Sequence, residues 1–379
     1  MVRKNVAEYR QALENYYIKD KQVIEMEGGY KAFSLLSPPV SSPAARRRLR
    51  YIIDNLNQQA STGAQDGIIP TKSRTAHFVT VAVSYACQCD CKHCSASLYQ
   101  QQTLRNNDGL TLAELKKAAK DLVAMGTTSI VFTGGEPFLF DGLYELIESV
   151  DKKKAVVTVF TNGEYLNAEA VQQLKRSGAF GVFVSFDFAD PLSHENNRRR
   201  PGIFKKAAQG IKLCQEAGIL TGISTFVTKE KISSGEMDSI MELGKKLNVM
   251  EVFIFDVIPM GKLEDQHDCL LEKDDFDRVK ELRAKYNQKK DYPRIIHQTM
   301  LTSIAFPCTG EGCPAGVAHM HLRANGDVSP CDFTPYSFGN IRNKPLKDIW
   351  QTITTSEKYA KPSPQCRLAD KTFLSSFKS

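Results

Sequence analysis

The sequence predicts an α/β protein: a partial parallel barrel of six β/α units, with a helical N-terminal extension and a small cysteine-rich C-terminal domain. Three observations carry this. Short apolar, β-rich runs alternate with amphipathic helical stretches from residue 77 to about residue 257. Residues 1–76 lack that alternation, and residues 296–379 are rich in Cys, Pro and Gly. The expected boundaries are therefore 1–76, 77–290 and 291–379.

The first strand is expected over Phe78 to Ser84, followed by a helix from Thr111 to Met125. Thr111 with Glu114 three residues on is a capping box, in which each side chain satisfies a free backbone N–H of the first turn. Strands then follow at Ser129 to Phe132, Ala155 to Phe160, Gly181 to Phe186, Leu220 to Val227 and Glu251 to Val257. Helices separate them at Leu143 to Lys152, Ala168 to Arg176, Ile203 to Ala217 and Gly235 to Leu247. Strands that alternate with helices pair in parallel through right-handed crossovers. Six units are too few for a full eight-stranded barrel, so the expectation is a partial (β/α)6 TIM-like barrel or an open sheet. In either, ligand sites form at the C-terminal strand ends.

The N-terminal extension reads as a helix from about Val6 to Met26, then Gly28-Gly29 and an apolar Phe33-to-Leu36 stretch. A second helix is expected from Pro43, capped by Ser42, carrying Arg46, Arg47, Arg48 and Arg50. Those arginines read either as a solvated helix face or as a contact for an anionic substrate, partner or membrane surface. Gln58 to Lys72 reads as a polar linker.

Bulk properties exclude several classes. The 379 residues carry a net charge of +7, with Lys and Arg scattered among 43 acidic residues. No basic patch interleaves with aromatics in a nucleic-acid-binding module, so a nucleic-acid partner is not expected. The longest apolar stretches, such as Val252 to Ile258, fall far short of the ~20 residues that cross a bilayer. The N-terminus has no apolar signal core, and a cytoplasmic location is expected. Ten cysteines are many for such a chain, and in a reducing compartment they point to metal or redox chemistry rather than disulfides.

Their placement sharpens that reading. Cys87, Cys91 and Cys94 follow the first strand with the spacing C-x3-C-x2-C. Three thiolates on one loop can hold three irons of a [4Fe–4S] cube and leave the fourth iron open. The competing reading is zinc, since Cys89 makes four thiolates within eight positions. Cys89 lies outside the spacing and is read as a non-ligand, and His93 as packing beside the cluster. One β/α unit later, Gly134-Gly135-Glu136-Pro137 ends the second strand. Glycines admit a close ligand, and exposed carbonyls with a carboxylate can receive an ammonium group.

Together these residues resemble the radical SAM superfamily over about residues 77–260. The resemblance implies a [4Fe–4S] cluster on Cys87, Cys91 and Cys94 that reductively cleaves S-adenosylmethionine to a 5′-deoxyadenosyl radical. It places the cofactor's methionine amino group at Gly134 to Pro137. By the same resemblance Ser185 and Asp187 contact the methionyl or ribose part, and Thr225 and Ile258 to Gly261 surround ribose and adenine.

The C-terminal region resembles the SPASM and twitch extensions of that superfamily. Cys313, twelve residues, Gly326, four residues and Cys331 match their signature, as do the Phe338-Gly-Asn-Ile341 and Leu346-to-Trp350 segments. Asn325-Gly326 is a hairpin turn that would draw Cys313 and Cys331 together. Cys308 and Cys366 complete four thiolates for one auxiliary [4Fe–4S] cluster. The second-cluster run C-x2-C-x5-C-x3-C is missing, which gives a shortened, twitch-like form. Cys308 or Cys366 could instead be spare, leaving an open iron. Cys214 reads as core packing, and Cys269 as an incidental thiol or a hydrogen-atom donor.

The resemblance implies abstraction of a substrate hydrogen, with the auxiliary cluster taking up an electron. Peptide or protein maturation is the leading substrate expectation. A dehydrogenase or bond-forming enzyme on a small metabolite, tetrapyrrole or lipid is the alternative, and a non-catalytic metal scaffold the remote one. A flavodoxin or ferredoxin would supply the electrons. The N-terminal extension is also a candidate for peripheral membrane contact.

Overall fold

The computed structural model describes residues 23–26, 28–62, 74–100, 108–302, 311–370, 372–373 and 376. Most of the expected first helix lies outside this range. Its described end is instead a strand, β1 (Ile24–Met26), paired antiparallel with β2 (Tyr30–Ala32). Helix α1 (Pro43–Thr62) starts where the Ser42–Pro43 pair predicts, with Ser42 Oγ accepting from Ala45 N at 3.1 Å.

The body alternates as anticipated: β3 (Phe78–Ser84), α2 (Leu112–Ala124), β4 (Ser129–Gly134), α3 (Leu143–Glu148), β5 (Val156–Thr161), α4 (Ala168–Ser177) and β6 (Gly181–Ser185). The Thr111–Glu114 capping box forms at the start of α2. Two helices follow β6, namely α5 (Pro191–Arg198) and α6 (Ile203–Glu216). Then come β7 (Leu220–Val227), α7 (Lys229–Ser233), α8 (Glu236–Lys246), β8 (Glu251–Asp256), α9 (Lys273–Asn287) and β9 (Arg294–His297). The C-terminal part adds β10 (His319–Leu322), β11 (Val328–Ser329), α10 (Leu346–Thr355) and α11 (Glu357–Ala360).

One nine-stranded sheet runs in the order β11-β10-β3-β4-β5-β6-β7-β8-β9. All its neighbours from β10 to β9 are parallel, and only β11 is antiparallel. The barrel is partial, with β9 and β11 as open edges. The C-terminal region thus continues the barrel sheet through β10, which lies in register against β3. Strands buried on both faces explain the continuous apolar runs of β3 to β8.

Helices cover the outer face of the sheet, and the chain itself closes the floor. Phe33, Leu35 and Leu36 are buried beneath the strands with Phe183, Phe253 and Ile296. Leu35 N donates to Glu251 Oε1 at 2.9 Å, and Thr158 Oγ1 donates to Leu35 O at 2.8 Å. The apolar Phe33-to-Leu36 stretch is therefore core and not a lipid-facing patch. The α1 arginines divide as well. Arg47 donates to Thr127 O and Arg48 to Ser37 Oγ, each at 3.1 Å, so these two fasten the helix to the body.

Candidate functional site

A cavity of about 300 Å³ opens at the C-terminal strand ends, where parallel strands leave side chains and loops unpaired. Cys87, Cys91 and Cys94 line it, and so do Cys313, Cys331 and Cys366. Cysteines up to 279 positions apart in sequence thus face one space. Cys308 lies outside the described residues. Cys89 does not line the cavity. It hydrogen-bonds Cys87 and Cys91, and this lowers both of those thiols, Cys91 to about 7. Cys214 is fully buried in α6, as expected of core packing, and Cys269 sits in a short turn outside the cavity.

The first cysteine loop is built at an irregularity. The β3–β4 pairing shifts register between Ala82 and Ser84, so Ser84 faces Gly134. Such bulges re-aim a strand end toward a site. Gly135 N then donates to Ser84 O, and Glu136 N to Ala86 O, each at 2.8 Å. A Cβ on Gly134 would meet Ser84 O at 2.1 Å, and one on Gly135 would meet Ala86 O at 2.3 Å. The glycine pair is therefore required by the backbone entering the cysteine loop, a demand separate from ligand access.

Thr133, Gly134 and Gly135 line the cavity, whereas Glu136 and Pro137 do not. Pro137 opens a short 3-10 turn. The Glu136 carboxylate is fully buried and accepts from Thr161 Oγ1 and Asn162 N, each at 2.8 Å. Burial pushes its pKa up to about 7 against those bonds. In this structure it joins β4 to the end of β5 instead of offering a free acceptor to an ammonium group.

The other residues expected at the cofactor all line the cavity: Ser185, Asp187, Thr225 and Ile258. Ser185 Oγ lies 3.2 Å from both Thr161 O and Ser224 Oγ. Thr225 Oγ1 accepts from the buried Lys231 Nζ at 3.3 Å. Asp187 is occupied by Arg198 and Asn197, both at 2.8 Å.

Cys313 and Cys331 flank the predicted hairpin. Gly326 sits at φ +92°, closing the turn between β10 and β11, and Ile341 N donates to Gly326 O at 2.9 Å. Cys331 follows β11 directly. Cys366 packs against Ile258 and Leu368 on the far wall. Burial pushes the Cys331 thiol up to about 12 and raises Cys366 well above the usual thiol range.

Several wall residues escape sequence reasoning. Phe160, Phe253, Phe255 and Phe333 form an aromatic wall, with Phe253 and Phe255 centroids 4.6 Å apart and Phe255 and Phe333 6.1 Å apart. Asp332 is bonded by His319 Nε2 at 2.9 Å and lies 3.2 Å from His321 Nδ1. Asp256 accepts from Gln298 Nε2 and contacts His297 Nε2, both at 2.7 Å. The spacing of His319 and His321 was the available signal, because residues two apart on a strand share a face.

The donor set fits iron–sulfur clusters. Both cysteine groups that line the cavity are all-sulfur donor sets, three thiols on one loop and three from the C-terminal region, which is the donor chemistry that iron–sulfur cubes take.

Comparisons with known proteins agree with this geometry. Residues 81–243 match the Radical SAM superfamily, and residues 313–371 match SPASM, an iron–sulfur cluster-binding domain. The chain carries a radical SAM domain followed by a SPASM domain. It is 26% identical over 318 residues to an AdoMet-dependent heme synthase of Nitratidesulfovibrio vulgaris, covering 78% of this chain and 85% of that protein. It is 25% identical over 296 residues to the sporulation killing factor maturation protein SkfB of Bacillus subtilis, covering 76% and 66%. Its fold is similar to Streptococcus suis SuiB bound to precursor peptide SuiA, with TM-score 0.59 and 16% identity, covering 83% of this chain and 70% of that one. The family implies a [4Fe–4S] cluster with S-adenosylmethionine in the barrel, and iron–sulfur binding by the SPASM domain. Among the described residues, no helix is long and apolar enough to cross a membrane.

Proposed function

We propose that this radical SAM enzyme oxidises a side chain of a peptide or protein held between the two cysteine groups. The observation that carries the reading is the single cavity joining them, walled by phenylalanines. When bound, the clusters and S-adenosylmethionine supply hydrogen-atom abstraction and an acceptor for the second electron. Cys87, Cys91 and Cys94 would hold the first cluster. Cys313, Cys331 and Cys366 would contribute to the second, with Cys308 as the fourth thiolate.

The chain's own residues shape the substrate. Phe160, Phe255 and Phe333 are half-buried and turned to the cavity, which favours an apolar side chain. Asp256 and Asp332 make the walls locally polar, although their oxygens are held by His297, Gln298, His319 and His321. Arg198 is the one arginine or lysine lining the cavity among the described residues, and it is paired with Asp187. That lining offers a polyanionic nucleotide no cluster of cations. SuiB, which has a similar fold, is bound to its precursor peptide SuiA, and this supports a peptide substrate. His321, which lines the cavity beside Asp332, is an imidazole base able to take the proton that leaves an oxidised carbon.

A second reading follows from the heme synthase relative, which covers 85% of its own length here. In that case a flat tetrapyrrole edge would meet the same aromatic wall. A low-potential flavodoxin or ferredoxin would reduce the barrel cluster in either reading.

An anaerobic assay separates the two. The reconstituted enzyme is given S-adenosylmethionine and reductant with either iron coproporphyrin III or the peptides encoded beside its gene. The proposal expects 5′-deoxyadenosine to rise with a peptide, which then loses ~2 Da as two hydrogens leave. Turnover of the porphyrin alone would overturn it.

A further inference from the structure

We infer that Asp187 is a positioning residue that fixes the Cys87–Cys94 loop through helix α5, and not a contact for the cofactor's ribose. The inference concerns the barrel cluster alone and holds whichever substrate is correct.

The Asp187 carboxylate is 1% exposed and both oxygens are engaged. Oδ1 accepts from Arg198 at 2.8 Å, and Oδ2 accepts from Asn197 Nδ2 at 2.8 Å. Its backbone N–H donates to His194 Nδ1 at 3.0 Å. All three partners belong to α5, an eight-residue helix.

The same two residues reach the cysteine loop by their main chain. Asp90 N donates to Arg198 O at 3.1 Å, and Lys92 N donates to Asn197 O at 2.9 Å. These carbonyls end the helix, where four acceptors ordinarily lack intrahelical donors. The loop's N–H groups on either side of Cys91 supply two of them. Each arm therefore runs from one carboxylate oxygen, through one α5 residue, to one loop amide. Cys91 sits between the two attachment points.

Two further contacts tighten the arrangement. Asn197 Nδ2 also lies 2.9 Å from His93 Nδ1, and the His93 ring packs on Phe226 with centroids 4.2 Å apart. Arg199 closes the helix in the left-handed region at φ +51° and pairs with Asp90 at 2.6 Å. The loop is thus held before any iron binds, as a site built for one geometry requires.

Charge gives the inference a second readout. Arg198 is a buried cation acting on Cys91, and Asp187 neutralises it. Substituting Asp187→Asn keeps the shape and leaves Arg198 uncompensated beside a cluster that gains negative charge on reduction. Reduction then becomes easier.

The test uses reconstituted full-length holoenzyme carrying Asp187→Asn or Asn197→Ala. Three quantities are read: release of the barrel-cluster iron to a chelator, the midpoint potential of the EPR signal that responds to S-adenosylmethionine, and the Kd for that cofactor. For Asp187→Asn we expect roughly tenfold faster release, a midpoint moved upward and a Kd within twofold of the parent. Asn197→Ala, which removes no charge, should speed release several-fold with the midpoint unmoved. Should Asp187→Asn fail to fold, Asn197→Ala decides alone, and parental release there overturns the inference. A tenfold weaker Kd for Asp187→Asn with release and midpoint unchanged would also overturn it, restoring the ribose contact.

Discussion

The two cysteine groups face one cavity but are assembled by different means. Cys87, Cys91 and Cys94 lie on a single loop, held by strand-end bonds from Gly135 and Glu136 on one side and by α5 on the other. Cys313, Cys331 and Cys366 come from separate segments, with β10 and β11 between the first two and two helices before the third, and reach the cavity only through the tertiary fold. Their electrostatics differ as well. The first loop has Arg198 nearby, and the Cys89 hydrogen bond draws Cys87 and Cys91 down, the latter to about 7, while burial raises Cys94 to about 11 as it raises Cys331 and Cys366. A local motif can be prepared for its metal by its own loop. A dispersed set depends on the fold being complete.

That contrast can be broken at several points. The largest effect is expected from Cys91→Ala, because two thiolates do not retain an open cube. Formation of 5′-deoxyadenosine should fall below detection, while the iron held by the C-terminal cysteines stays. Next is Gly135→Ala, whose Cβ would approach Ala86 O and Tyr85 O to 2.3 and 2.6 Å. Backbone must move there, so the barrel cluster should be lost even though no thiol is touched. Iron counting on the purified variant checks this.

Cys331→Ala should act oppositely. Uncoupled cleavage of S-adenosylmethionine should continue within a few-fold of the parent, but modified product should drop by at least tenfold. Product formed at the parental rate would show that the C-terminal group is no obligatory electron acceptor.

The smallest effect is expected at the floor that underlies both groups. Glu251 is fully buried, and burial raises its pKa to about 7, opposed by the Leu35 N–H, the Arg294 charge and Ser34. For an acid with a raised native pKa, the unfolded chain loses its proton first. Stability is therefore full below the unfolded value near 4.5 and declines as pH climbs through about 7. Oε2 has no hydrogen-bond partner, so Glu251→Gln keeps the Oε1 acceptor and removes the charge. The variant should gain on the order of 2 kcal/mol over the parent at pH 8 and nothing at pH 4. Thermal melts across that range measure it.

Legibility in the sequence followed the same divide. The strands from β3 to β8 were readable within a residue or two, because each is an apolar run flanked by a periodic helix. Helix α5 was missed: Pro-Leu-Ser-His-Glu-Asn-Asn-Arg has no apolar stripe, and only Asp190 before Pro191 marks its start. The arms from Asp187 to Cys91's neighbours were equally hidden, since they join the end of one strand to the loop of another. Glu136 and Asp187 were both expected at the cofactor. In the structure their oxygens bond neighbouring backbone and side chains. Motif spacing locates a residue but does not say where its side-chain bonds go.

The central claim is that these two groups hold iron–sulfur clusters, one of which cleaves S-adenosylmethionine. Anaerobic reconstitution with iron and sulfide, followed by metal counting and assay of 5′-deoxyadenosine after reduction, tests it most directly. The account predicts about eight irons per chain, for two four-iron cubes, together with 5′-deoxyadenosine release. A colourless protein that holds zinc and leaves the cofactor intact would contradict it.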